Sequence, residues 1–233
     1  MSNIKTCLSL DPRFPKNLNV LSDKPEKIYY KGNIEIINDN RCVAIIGSRN
    51  CSELGLKLAY QTAEIAVSKG FVVVNGLALG CDAEALKGAL ARNGKCVAVM
   101  PCGLEQIQPK ANKYIAEAIL ENGGCIISEY AEGTPIQKYN YVKRDRIQSG
   151  ISDSVIVVET QEKSGTMHTA DFAVRQKRRL ACYAAALLKN SKGNKLLEEV
   201  KKAYPLQGVK DAEMFLDYVI TDTSCEQISL QFD

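Results

Sequence analysis

At 233 residues, with 45% hydrophobic and 24% charged residues, the chain has the length and composition of a soluble globular protein built around one core. No apolar run approaches the length of a membrane span, and the opening Met-Ser-Asn-Ile-Lys-Thr lacks the apolar stretch of a signal peptide, so a cytoplasmic protein away from the membrane is expected. The net charge of +3 is too small to announce a nucleic-acid partner, but it is unevenly spread: residues 211–233 hold six acidic groups and no Lys or Arg, which leaves +9 on the rest.

Residues 1–40 read as a lead-in that packs on the core, turn-rich from Leu10 to Leu18 and then, over 26–33, an extra strand followed by a turn. From 41 to 185, short apolar runs recur at 42–46, 71–75, 96–100, 125–128, 154–158 and 179–183, spaced 25 to 29 residues apart with helical stretches between them. That is the spacing of βαβ units. It predicts an α/β fold with an extended Rossmann-like, doubly wound and mostly parallel sheet. Ser52 is placed to cap the first crossover helix, whose apolar positions Leu54, Leu58, Ile65 and Ala66 fall largely on one face and which stops at Lys69-Gly70. Asp82 is the expected N-cap of the second helix, which ends at Asn93-Gly94, and the third, over 112–120, closes at Asn122-Gly-Gly. In residues 186–233 an amphipathic helix is predicted over 189–202. The acidic end piece carries Phe215, Leu216, Tyr218, Val219 and Ile220, so it reads as a docked segment, with an acidic arm over a basic groove as the alternative.

The chemistry concentrates where strands end in glycine-bearing turns. Val43 to Asn50 ends in Gly47-Ser-Arg49: Gly47 lets the backbone approach a phosphate, Ser48 offers a hydroxyl, and the Arg49 fork can donate two bonds to one phosphate. An ordinary strand-to-helix turn would keep Gly47 without requiring Arg49. A Gly-x-Gly-x-x-Gly dinucleotide fingerprint is missing, so no nicotinamide or other cofactor is expected. Gly76 and Gly80 bracket a second turn of this kind, and Ser164, Gly165 and Thr166 form a third anion site at a helix start. His168, the lone histidine, reads as a polar contact because no catalytic partner is visible. Glu129 and Glu159 stand at the ends of two strands, and paired carboxylates there would suit hydrolysis of a nucleotide glycosidic bond.

Lys138, Lys143, Arg144 and Arg146, interleaved with Tyr139 and Tyr141, have the mixture of charge and rings that a single-strand groove needs. A second basic cluster comprises Arg175, Lys177, Arg178 and Arg179. Both also fit a solvated helix end or loop. Nine cysteines, an odd number with no Cys-x-x-Cys, point to reduced structural thiols; Cys51 and Cys81 lie beside the first two turns. No metal site is expected.

Taken together and in order, Phe14-Pro15, Tyr30-Lys-Gly-Asn33, Gly47-Ser-Arg49, Gly76-Leu-Ala-Leu-Gly-x-Asp82, Ser128-Glu129, Arg144-Asp-Arg146 and Ser164-Gly165 resemble the DNA-processing protein A (DprA, or Smf) family over residues 8 to 185. The resemblance implies a non-enzymatic protein that dimerises, binds single-stranded DNA in a positively charged pocket and loads a RecA-type recombinase during DNA uptake and natural transformation. It carries phosphate contact to Ser48, Arg49, Lys143, Arg144 and Arg146. Two positions depart from the family pattern: Leu86 stands for a histidine, and Asp145 for the asparagine between two cations, which is expected to weaken DNA binding or redirect it. A minimal member without the family's N-terminal helical domain and C-terminal winged helix is expected. The alternative is a nucleotide-ligand sensor or a phosphoribohydrolase-like enzyme using the same turns, although the Pro-Gly-Gly-x-Gly-Thr wording of the LOG phosphoribohydrolases is replaced here by Glu162-Lys-Ser-Gly-Thr-Met-His-Thr169.

Overall fold

Apolar residues fill the central runs on both alternating sets of positions, which suits strands covered on both faces. The computed structural model describes residues 3–189 and 191–229, with side chains through 222 apart from these gaps. In it, β1 (Lys5–Leu8), β2 (Lys27–Gly32), β3 (Cys42–Ile46), β4 (Val72–Asn75), β5 (Cys96–Met100), β6 (Cys125–Ser128), β7 (Ser154–Val157), β8 (Arg179–Tyr183) and β9 (Tyr204–Leu206) form one sheet in the order β1-β2-β6-β5-β4-β3-β7-β8-β9. Pairing is parallel from β6 through to β9, whereas β1 and β2 join antiparallel at the β6 edge. The expected α/β, doubly wound and mostly parallel architecture is the one observed. The lead-in extends the sheet by two strands.

The helices are α1 (Lys16–Asn19), α2 (Ile36–Asp39), α3 (Glu53–Ser68), α4 (Cys81–Ala91), α5 (Lys113–Glu121), α6 (Lys138–Gly150), α7 (Gly165–Arg175), α8 (Lys192–Glu199) and α9 (Val209–Ser229). Alternation along each strand divides the core. Val43, Ile45 and Val73 meet α3, α4, α5 and α9 through Ala59, Leu86, Ile115 and Phe215, while Ala44, Val74 and Val99 share the other layer with Ile147, Ala170 and Leu197. Leu86 is fully buried in the first layer, so at this position an apolar side chain serves packing.

The acidic end piece is docked over its described part. Phe215, Leu216 and Val219 are buried, Lys69 at the end of α3 pairs with Asp217 at 2.6 Å and Glu213 at 3.3 Å, and Arg179 pairs with Asp222. Arg41 donates to the carbonyls of Val219 and Ile220. Arg41 and Arg179 stand at the amino ends of β3 and β8, so the last described turns of this segment lie at the end of the sheet opposite the strand carboxyl termini. The arm-over-groove alternative is thereby corrected for the described side chains: acidic α9 neutralises structural cations instead. Glu226 and Asp233 lie outside the side chains described.

The eight described cysteines are free thiols, all buried except the half-buried Cys51. Among the described residues no cluster of His, Cys, Asp and Glu suits a metal, and no helix is long and apolar enough to cross a membrane.

Candidate functional site

After β3 the chain winds through β4, β5 and β6 on one side, then returns through β7 on the other, so the carboxyl ends of β3 and β7 mark the switch point where an open α/β sheet leaves a crevice. A cleft of about 470 Å³ lies there. Gly47, Ser48, Arg49 and Asn50 form one wall and Ser164, Gly165 and Thr166 face them; Tyr141, Arg144, Asp145 and Gln148 of α6 line it as well, with Asp82 and Thr169.

The first turn is tied down by its main chain. Ser48 donates its N–H to the Glu159 carbonyl at 2.7 Å and accepts from the Cys81 N–H at 3.2 Å. Its hydroxyl is occupied within the turn, donating to the Asn50 carbonyl and accepting from the Asn50 N–H, both at 3.1 Å. Arg49 is exposed, and its guanidinium stands 5.6 Å from the centre of the Tyr141 ring. Opposite, the Ser164 hydroxyl bonds Thr160 Oγ1 at 2.6 Å and does not cap α7. The Met167 N–H closes on the Ser164 carbonyl at 3.2 Å, and among the described residues the N–H groups of Gly165 and Thr166 are left unclaimed. An exposed cation therefore lines the same cleft as a helix start with open donors, an arrangement that binds anions.

The second turn is a buttress. Gly80, at φ +76, is the N-cap of α4 and packs on the carbonyls of Ser48 and Arg49, where a side chain has no room. Asp82, expected as the N-cap, instead reaches back from inside the helix to the N–H groups of Gly76 at 3.1 Å and Ala78 at 3.3 Å. A left-handed Leu77 is held by Asn75 and by Asn112, whose side chain donates to the Leu77 carbonyl at 2.8 Å. Arg144 lies flat on Gly76, a position any Cβ would occupy, and donates to the carbonyls of Gly76 at 2.9 Å and Val99 at 2.6 Å and to Asp145 at 3.1 Å.

Three of the four cations of the basic segment thus separate. Arg144 lines the cleft but is buried and largely committed; Arg146 forms a bidentate pair with Glu129 at 2.6 and 2.9 Å; exposed Lys143 stands over the Tyr139 ring, 5.4 Å from its centre. Neither Arg146 nor Lys143 lines the cleft. The carboxylates also part company, because Glu159 is buried and accepts from the Ser52 N–H and, at 2.6 Å, from its hydroxyl. His168 is exposed on another groove beside Lys163 and Asp171. In the second basic cluster, Arg178 donates to the carbonyls of Asn17 and Gly150, and Arg179 pairs with α9.

Two acids temper the cleft. Burial raises the Asp82 carboxyl above the usual range, against the pull of Arg144 and nearby N–H groups. Burial pushes Asp145 up to about 6, with Arg144 acting in the opposite direction. Beside Gly47, the buried Cys81 thiol is raised, chiefly by its hydrogen bond to Cys51, and the Cys51 thiol is lowered by the same bond. The sequence offers Tyr141 as a ring of a basic groove and Asp145 as a carboxylate between two cations, but does not join them to Gln148 in one wall. Their i, i+4, i+7 spacing on α6 is the signal that puts them on one face.

Residues 5–217 match the family model for DNA recombination-mediator protein A. The chain is 34% identical over 179 residues to the DNA processing protein DprA of Streptococcus pneumoniae, covering 77% of this chain and 62% of that protein. It is 34% identical over 165 residues to the Smf protein of Escherichia coli, with 71% and 44% covered. It therefore spans less than two thirds of the length of these relatives. The solved DNA processing protein A of Helicobacter pylori, described with a unique single-stranded DNA binding mode, superposes with a TM-score of 0.82 at 28% identity, over 94% of this chain and 96% of that one.

Proposed function

Because the chain belongs to the DNA recombination-mediator protein A family, we propose that it binds single-stranded DNA at the switch-point cleft, with little dependence on sequence in its backbone contacts. The observation that carries this reading is that the exposed Arg49 and the open N–H groups of Gly165 and Thr166 line one cleft. Arg49 and the start of α7 hold a phosphate, Tyr141 offers a ring to a base, and Lys143 with Tyr139 extends the track beyond the cleft. Arg144 acts mainly by fixing the second turn beneath the first, so its part in phosphate binding is indirect. Arg146 braces α6 against Glu129.

The protein breaks no bond in this reading; it acts in the cytoplasm as a homodimer that protects or delivers incoming strands and hands them to a RecA-type recombinase. Fluorescence anisotropy of labelled single- and double-stranded oligonucleotides tests the binding step. Salt-sensitive affinity for the single strand supports it, and absence of binding to both at low salt refutes it. The confined volume of the cleft, within the range of small-ligand sites, favours a nucleotide-sensing or nucleotide-hydrolysing protein as the second reading. Saturable mononucleotide binding or base release without oligonucleotide affinity would establish that reading instead.

A further inference from the structure

Two cysteines bracket the turn that carries Arg49. Cys51 ends it, directly after Asn50, and Cys81 opens α4 beneath it: the Cys81 N–H bonds the Ser48 carbonyl at 3.2 Å, and its sulfur stands 2.5 Å from where a Cβ on Gly47 would lie. The two thiols hydrogen bond to one another. That contact holds the Cys51 thiol below its ordinary range and, together with burial, holds Cys81 above it, so Cys51 is the nucleophile of the pair and Cys81 the resolving partner. Among the described cysteines Cys51 alone is half-buried, which leaves it open to a small reagent. Cys96 and Cys125, on the paired strands β5 and β6, belong by contrast to opposite layers of the core.

We propose that a hydroperoxide oxidises Cys51 and Cys81 to a reversible disulfide, and that closing this bond weakens phosphate binding at the switch-point cleft. The Cys51 thiolate attacks the peroxide and the O–O bond breaks, leaving a sulfenic acid and a hydroxide that takes up the proton Cys51 gave away. The Cys81 sulfur then attacks the Cys51 sulfur, the S–O bond breaks, and the departing oxygen takes the Cys81 proton and leaves as water. Two thiols lose two electrons, and one hydrogen peroxide becomes two waters. The bond sets the sulfurs about 2 Å apart, closer than hydrogen-bonded thiols stand, so Cys51 is drawn towards the start of α4. Since α4 follows β4 and α7 follows β7, on opposite sides of β3, this movement carries the turn with Arg49 away from Ser164, Gly165 and Thr166. Disulfides in a reducing compartment are usually transient and redox-sensing, which suits a switch. The disulfide stands independently of the single-strand-binding reading, and its effect on binding rests on that reading.

The experiment treats the full chain briefly with hydrogen peroxide, maps its peptides without reduction by mass spectrometry, and measures anisotropy with labelled oligo(dT) before treatment, after it and after dithiothreitol. A Cys51–Cys81 linkage is expected, with affinity lowered about fivefold or more and restored by the reductant. Cys51→Ala, which has no thiol to oxidise at the turn, should keep its affinity through the same cycle. The wild-type cycle needs no variant, so a misfolded Cys51→Ala does not remove the test. Absence of the linkage while other cysteines oxidise, or a linkage that leaves oligo(dT) affinity unchanged, overturns the inference and leaves single-strand binding intact. If the reduced protein does not bind oligo(dT), the switch falls together with the reading beneath it, and the peptide map still decides whether the disulfide forms.

Discussion

Replacing Asp145 by Asn neutralises one of the two acids in the cleft while keeping an oxygen able to accept from Arg144 and Gln148, both of which bond Oδ1 in the wild type. A volume of 470 Å³ corresponds to a sphere about 10 Å across. A phosphate against one wall therefore lies on the order of 8 Å from a carboxylate at the other, and at effective dielectric constants of about 20 to 80 the repulsion is roughly 0.5–2 kcal/mol. Asp145→Asn should thus tighten single-strand binding about 2- to 30-fold at pH 7.5 and low salt, less as salt screens the pair. The pH dependence has a definite sign. With its carboxyl pushed up to about 6, Asp145 is mostly charged at pH 7.5 and mostly neutral at pH 5, so wild-type affinity should rise as pH falls through that window and approach that of the variant. Folding stability has the same sign. The raised carboxyl contributes stability that is present below its ordinary value near 4 and is lost as pH rises through about 6, a loss that Asn does not suffer. Anisotropy titrations of both proteins at pH 5, 6 and 7.5 measure the difference directly, and other titrating groups cancel in the comparison. Equal affinities at pH 7.5, or a wild-type/variant ratio that does not change with pH, would refute the electrostatic reasoning.

Gly76→Ala sets a methyl group against the Arg144 guanidinium and should cost about 2–4 kcal/mol of stability, read as a fall in the denaturation midpoint. Phe215→Ala opens the α3–α9 contact and should cost about 3–5 kcal/mol in the same assay, without raising DNA affinity, since no residue of α9 lines the cleft. Arg146→Ala frees Glu129 and should leave oligonucleotide affinity within about twofold of wild type, because this cation does not line the cleft; a loss as large as that of Arg49→Ala in parallel titrations would contradict its assignment as a brace.

The parallel strands were legible because residues such as Val43, Ile45, Val73 and Val97 are buried on both faces, and a run of that kind has few alternatives to a central strand. β1 escaped notice because only Cys7 of its four residues is buried, and β9 because it is three residues long with Pro205 at its middle. Gly47 to Arg49 and Ser164 to Thr166 could be read as a site because a turn keeps neighbours in sequence close together in space. The basic segment misled for the converse reason. Lys143, Arg144 and Arg146 lie within four residues on a helix, where positions one and two apart point in different directions, and only packing decides that Arg144 is buried while Lys143 is not. Asp82 was misread because its side chain serves a turn six residues earlier, a long-range pairing that cap-position rules do not contain.

The most direct test of the account is the salt dependence of single-strand binding for wild type, Arg49→Ala and Arg146→Ala measured side by side. Arg49→Ala should weaken binding by about tenfold at low salt and reduce the slope of log affinity against log salt by about 1, with Arg146→Ala superimposing on wild type. If instead Arg49→Ala binds as wild type does, phosphate is not held at the switch-point cleft, and the central claim is wrong.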